Sequence, residues 1–146
     1  MSGGAYMGEL IELDRLKLSR FVREKLEMFP EVVGAYFFGS VLEKMRPDSD
    51  IDVGIILQTG AIKSEKELDL LLAKLANALG NYEGHIFDIV SIGNVNNILA
   101  FKILKKGEPI YIKDEGKVTD MIEIVSRLYS ENYPRYKEAL KIILEG

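Results

Sequence analysis

Between two apolar runs lies the stretch "YFFGSVLEKMRPDSDIDVGIIL", Tyr36 to Leu57, in which Asp48, Asp50 and Asp52 crowd the approach to a strand-forming segment. Alternate residues of a strand point to the same face, so Asp50 and Asp52 project together while Ile51 and Val53 turn away. Carboxylates about 7 Å apart along a strand repel unless a cation or water lies between them. Oxygen ligands on a rigid strand suit Mg²⁺, which takes one or two carboxylates and completes its shell with phosphates and water. The plainer reading is a solvated turn that happens to start a strand.

A third acid bears on that choice. Asp88 stands in the middle of "IFDIVSI", between residues expected to be buried, and an unpaired carboxylate in a buried strand costs several kcal/mol unless it is paired or holds metal. An edge strand or a salt bridge to a lysine would also account for it. Gly39 and Ser40 follow the first apolar run. A glycine there lets the backbone approach a ligand closely, and the N–H groups that open a following helical turn favour phosphate; a plain turn is the alternative.

These residues need a scaffold. "VVGAYFF", Val32 to Phe38, is β-branched and aromatic and reads as a buried strand. Val41 to Met45 reads as a short helical turn with Ser40 as its N-cap, "RPDS" as turn chemistry, and Asp50 to Leu57 as the second strand. Upstream, Leu10 to Met28 has helical periodicity, with Leu10, Leu13, Leu16, Phe21, Val22 and Leu26 on one face, and Pro30 ends it. Ser64 and Glu67 form a capping box for a helix reaching Leu79, and Gly80 sits where a C-cap glycine belongs. Ile86–Ile92 is a third strand, Val95–Lys106 a helix closed by Gly107, and Pro109–Ile112 a short strand whose proline suggests an edge. Helical pattern returns from about 118 to 145, interrupted or kinked near Pro134. The order is α/β, with helices on a central sheet, in one domain over 1–146 with an N-terminal helix at about 8–29.

The totals set limits. With 146 residues, 47% hydrophobic and 29% charged, the composition is that of an ordinary globular domain. No apolar run reaches the ~20 residues of a membrane span, and no secretion signal is evident at the N-terminus, so a cytoplasmic protein without membrane association is expected. Cysteine is absent, which removes disulfides, zinc–thiolate sites and cysteine nucleophiles, and the single histidine, His85, builds no multi-histidine metal site. His85, just before the third strand, is expected to be a surface or strand-end residue. The net charge of −4 gives no basic field for nucleic acid, and direct nucleic-acid binding is not expected. A phosphate-bearing substrate would need local help from metal ions.

Strand, Gly-Ser, short turn, Asp-x-Asp on the next strand and one more Asp on a later strand resemble the nucleotidyltransferase superfamily built on the DNA polymerase beta palm. Within it, "FGSVLEKMRPDSDIDVGIIL", "DIVSI" and "ILAFKILKKGEPIYIKD" look most like the minimal nucleotidyltransferase (MNT) group, from about Val32 to Ile112. The resemblance implies a palm-like fold with a mixed sheet. It implies that Asp50 and Asp52 hold two Mg²⁺ ions, with Mn²⁺ as an alternative, and that Asp88 shares the first and helps activate the attacking hydroxyl. Gly39 and Ser40 would hold the β- and γ-phosphates of ATP or another nucleoside triphosphate. Two features depart from the family pattern. The gap of nine residues between Ser40 and Asp50 is one shorter than usual, and the basic residues that often follow the Gly-Ser are here Val41, Leu42 and Glu43. Lys44 and Arg46 are substitute cations or solvated loop charges.

The group implies AMP transfer from ATP to a tyrosine of a HEPN-type ribonuclease toxin, with this chain as the antitoxin. The alternatives are a small-molecule, aminoglycoside-type nucleotidyltransferase, or a partner-binding module without activity. Only about 30 residues follow Asp114, little for a separate acceptor domain, so a partner or a homodimer would have to complete an acceptor pocket. Tyr129, Tyr133 and Tyr136 serve either such a partner face or the core.

Overall fold

The computed structural model describes residues 9–145, with side chains described as far as residue 132. Five strands form one mixed sheet: β1 (Val32–Phe38), β2 (Ile51–Leu57), β3 (Asn81–Tyr82), β4 (His85–Ser91) and β5 (Glu108–Ile112), in the spatial order β3-β4-β2-β1-β5. β1 is antiparallel to both β2 and β5, β3 is antiparallel to β4, and β2 runs parallel to β4. The crossover between the parallel pair carries helix α2 (Glu65–Leu79), and Pro109 lies on the edge strand as its missing N–H requires. Asn81–Tyr82 was not foreseen as a strand. It closes a two-residue hairpin onto β4 through Glu83 and Gly84, both at positive φ, as a right-twisting hairpin demands.

Strand alternation divides the core in two. Ala35, Phe37, Ile51, Val53, Ile55 and Phe87 face α1 (Arg15–Leu26) and α2, which contribute Leu18, Val22, Leu26, Leu71, Leu75 and Leu79. Tyr36 and Ile56 face α3 (Asn97–Lys106) and α4 (Glu115–Glu145), which contribute Ala100, Ile103, Val118 and Val125. The capping box on α2 forms: Ser64 accepts from the Glu67 amide at 3.1 Å, and Glu67 accepts from the Lys63 amide at 3.1 Å.

Several expectations need correction. α1 begins at Arg15, because Asp14 caps it by accepting from the amides of Leu16 and Lys17 at 3.1 and 3.2 Å. The buried stripe is therefore Leu18, Val22 and Leu26, while Leu10 and Leu16 are exposed, Leu16 to 78%. The chain before the cap is a strap: Ile11 and Met45 exchange amide–carbonyl bonds of 2.8 and 2.9 Å. Proline in a helix interior kinks or breaks it, yet α4 carries on through Pro134 rather than being interrupted there.

Candidate active site

Asp52, Gly54 and Ile56 lie on the β2 face that looks toward α3. The parallel register sets Asp52 directly across from Asp88 of β4, at the ~4.8 Å spacing of neighbouring strands. β2 starts at Ile51, so Asp50 sits one residue before the strand and not within it. The chief acidic neighbour of Asp52 is thus Asp88 across the ladder, with Asp50 along the chain second. The half-buried Asp52 carboxyl is pushed up to about 6, first by burial, then by Asp88, then by Asp50.

Asp88 corrects the sequence reading. It is exposed, as is its face-mate Ile86, 58% accessible, because α3 and α4 cover this sheet face only from Val90 onward. Burial therefore supplies no argument for Asp88; its place opposite Asp52 does. His85 opens β4, the strand-end placement expected of it, and is not at the surface. It is 2% exposed, and its Nδ1 donates to the Ser49 carbonyl at 2.8 Å. That bond ties the start of β4 to the residue preceding Asp50.

Gly39 is the first residue after β1, at φ +76°, in the left-handed region that favours glycine. A side-chain carbon there would land on the Asp52 carboxylate. Glycine is needed at this point for two independent reasons, one torsional and one steric. Gly39–Leu42 forms a 3-10 turn, shorter than the helical turn expected, and Phe38 rather than Ser40 occupies its cap position. The segment after Ser40 is held from outside. Arg15 donates from a terminal guanidinium nitrogen to the Leu42 carbonyl at 2.7 Å, Met45 is buried and paired with Ile11, and His85 holds Ser49. Arg46 bridges to Asp48 at 3.4 Å, whereas Lys44 is exposed.

One feature escaped the sequence reading. A cavity of about 260 Å³ opens between Phe38, Gly39 and Asp52 on one side and Leu99, Lys102 and Lys106 of α3 on the other. Leu99, Lys102, Ile103 and Lys106 recur at intervals of three and four, the spacing of one helix face, and that was the signal available. Tyr129 stacks on Phe101 at 4.0 Å and so joins α4 to α3; the side chains of Tyr133 and Tyr136 lie outside the described residues.

The donor set is oxygen only. Among the described residues no three acidic or imidazole groups cage an ion by themselves. Mg²⁺ needs no such cage when phosphates and water supply its remaining ligands. Two facing carboxylates with a third beside them, one of them raised in pKa by burial and then by its acidic neighbours, fit a divalent cation.

A mixed sheet with Gly-Ser after one strand and Asp-x-Asp at the start of the next defines the palm-like class of nucleotidyltransferase domains. The family model "Polymerase beta, Nucleotidyltransferase" matches residues 21–116, and the chain belongs to that family. Among solved structures, a chain of the MntA–HepT toxin–antitoxin complex superposes with a TM-score of 0.55 at 17% identity, over 86% of this chain and 98% of that one. A toxin–antitoxin structure with AMP-PNP gives 0.54 at 18%, over 88% and 99%. A complex of tri-AMPylated Shewanella oneidensis HEPN toxin with MNT antitoxin gives 0.50 at 20%, over 86% and 94%. At these identities the likeness is one of fold. Curated proteins give no significant match.

Proposed function

We propose that this chain transfers AMP from ATP to a hydroxyl on a HEPN-type partner protein, as the antitoxin of a cytoplasmic toxin–antitoxin pair. The observation that carries the reading is the junction of Gly39 with Asp52, and of Asp52 with Asp88, at one end of the sheet. The named neighbours support the choice of partner, because one of them joins an MNT antitoxin to an AMPylated HEPN toxin. Ile122 and Ile124 of α4, both exposed, add apolar surface that a protein partner would cover.

Asp50, Asp52 and Asp88 would hold the divalent cations, which when bound neutralise the phosphates and stabilise the attacking and leaving oxygens. Gly39 and Ser40 bring main chain against the β- and γ-phosphates, the missing Cβ of Gly39 leaving the approach open. Asp88, being exposed, is accessible to an acceptor hydroxyl and takes its proton. The acceptor oxygen forms a bond to the α-phosphorus. The bond from that phosphorus to the bridging oxygen breaks, and pyrophosphate leaves with the electron pair. His85 and Arg15 keep the intervening loop in register with the sheet.

Labelled ATP and Mg²⁺ supplied to the chain and a co-expressed HEPN-type protein should place label on that protein, and Asp50→Asn/Asp52→Asn should abolish it. Label appearing on an aminoglycoside or another small alcohol, with none on protein, would replace the acceptor. Tight partner binding with no transfer to any acceptor would replace catalysis by a binding role.

A further inference from the structure

The turn that should grip a triphosphate lacks cations: Val41 is buried, Leu42 is partly so, and Glu43 is acidic. Arg46 is engaged with Asp48, and Lys44 is not among the residues that line the cavity beside Gly39 and Asp52. A triphosphate carries more negative charge than the metal-binding aspartates and their ions cancel, so positive charge must come from elsewhere in the fold.

Helix α3 provides it. Lys102 and Lys106, one turn apart, both line the cavity whose opposite wall is Gly39 and Asp52. Neither has an acidic partner within 4.0 Å among the described residues. Lys105, between them in sequence, points elsewhere, its Nζ lying 5.5 Å from the Phe101 ring centroid. The placement of α3 is fixed close to the site. Gly107, which ends the helix, leaves so little room that an added Cβ would come within 2.8 Å of the Phe37 carbonyl oxygen. Ile103, fully buried, seats the same helical turn in the core.

We infer that Lys102 and Lys106 grip the terminal phosphates of the nucleoside triphosphate, supplying from α3 the positive charge that the Gly-Ser turn lacks. This rests on the nucleotidyltransferase reading proposed above. Because the cavity begins at Gly39, a triphosphate whose chain lies along the turn passes its β- and γ-phosphates between that turn and α3. Lysine ammonium groups are point charges on flexible stems, so the pair follows the phosphates without demanding one geometry.

Calorimetry of ATP, AMP and inorganic tripolyphosphate, each with Mg²⁺ and with EDTA, tests this on the wild-type chain, Lys102→Ala/Lys106→Ala, Lys102→Arg/Lys106→Arg and Lys105→Ala. Charge-assisted contacts of this type imply a loss on the order of tenfold to a hundredfold for ATP and tripolyphosphate in the double alanine variant. AMP binding should stay near wild type, as should ATP binding by the arginine and Lys105→Ala variants. The wild-type advantage should shrink as salt is raised. Unchanged ATP affinity in the double alanine variant overturns the inference. So does an equal loss for AMP and ATP, which would place the nucleoside rather than the phosphates against α3, and so does absence of ATP and tripolyphosphate binding by the wild type. Lysine-dependent ATP binding with no label reaching any acceptor would remove the transfer reading and leave this one standing.

Discussion

Removing a carboxylate from the site should make the metal-free protein more stable, in a pH-dependent way. Asp52 is raised from 3.8 to about 6 by burial and by Asp88 and Asp50. Ionising it therefore costs the native state, relative to the unfolded chain, up to about 3 kcal/mol at roughly 1.36 kcal/mol per tenfold. Asp52 keeps part of its surface in water, and screening reduces this to about 1–2 kcal/mol. Well below pH 3.8 the group is protonated in both states and the penalty is absent. Between 3.8 and about 6 the native chain holds the extra proton, so stability falls as pH rises, and above about 6 the full penalty stands. Asp52→Asn should raise the melting temperature at pH 8 in EDTA by about 2–8 °C, at roughly 2–4 °C per kcal/mol for a chain of this size. It should give almost no gain at pH 3.5. Mg²⁺ should narrow the difference by stabilising the wild type alone. A variant no more stable than wild type at pH 8, or equally stabilised at both pH values, would show that ionising Asp52 does not cost the native state.

Gly39→Ala forces a side-chain carbon onto the Asp52 carboxylate at φ +76°; a left-handed L-residue alone costs about 1–2 kcal/mol, so thermal melting should show that loss, with a fall in calorimetric ATP affinity. Asp88→Asn, at an exposed position, should leave the fold intact and lower turnover steeply while ATP still binds; a near-normal transfer rate would remove Asp88 from the chemistry. Gly107→Ala meets the carbonyls of Phe37 and Ile103, backbone atoms that cannot move aside, and overpacking of this kind costs about 1–3 kcal/mol, read as a lower denaturant midpoint.

The sequence is informative wherever short-range chemistry decides the structure. The β1 run, the Ser64–Glu67 cap, the edge proline and the Asp-x-Asp approach to β2 were all legible because each rests on neighbours within a few residues. It was misleading where partners come from afar. The apolar periodicity from Leu10 could not reveal that Asp14 would cap the helix and that Ile11 would pair with Met45. Asp88 read as buried because Ile86 and Val90 flank it on the same face. Which end of that face α3 and α4 cover is a matter of helix placement that no local pattern encodes. His85, expected at the surface or at a strand end, opens β4 but is buried, and its partner is a carbonyl 36 positions away.

The same distinction accounts for how a chain of net charge −4 would present a site for a polyanion. Around the cavity, acids and lysines come from different elements: Asp52 from the start of β2, with Asp88 opposite it on β4, and Lys102 and Lys106 from one face of α3. Only the antiparallel return of β1, which delivers Gly39 beside Asp52, brings the two groups to opposite walls of one cavity. The carboxylates at Asp52 repel one another, and the exposed Lys102 and Lys106 have no acidic partner within 4.0 Å among the described residues. On the reading proposed above, a metal–triphosphate complex would satisfy both at once, cation toward the acids and phosphate toward the lysines.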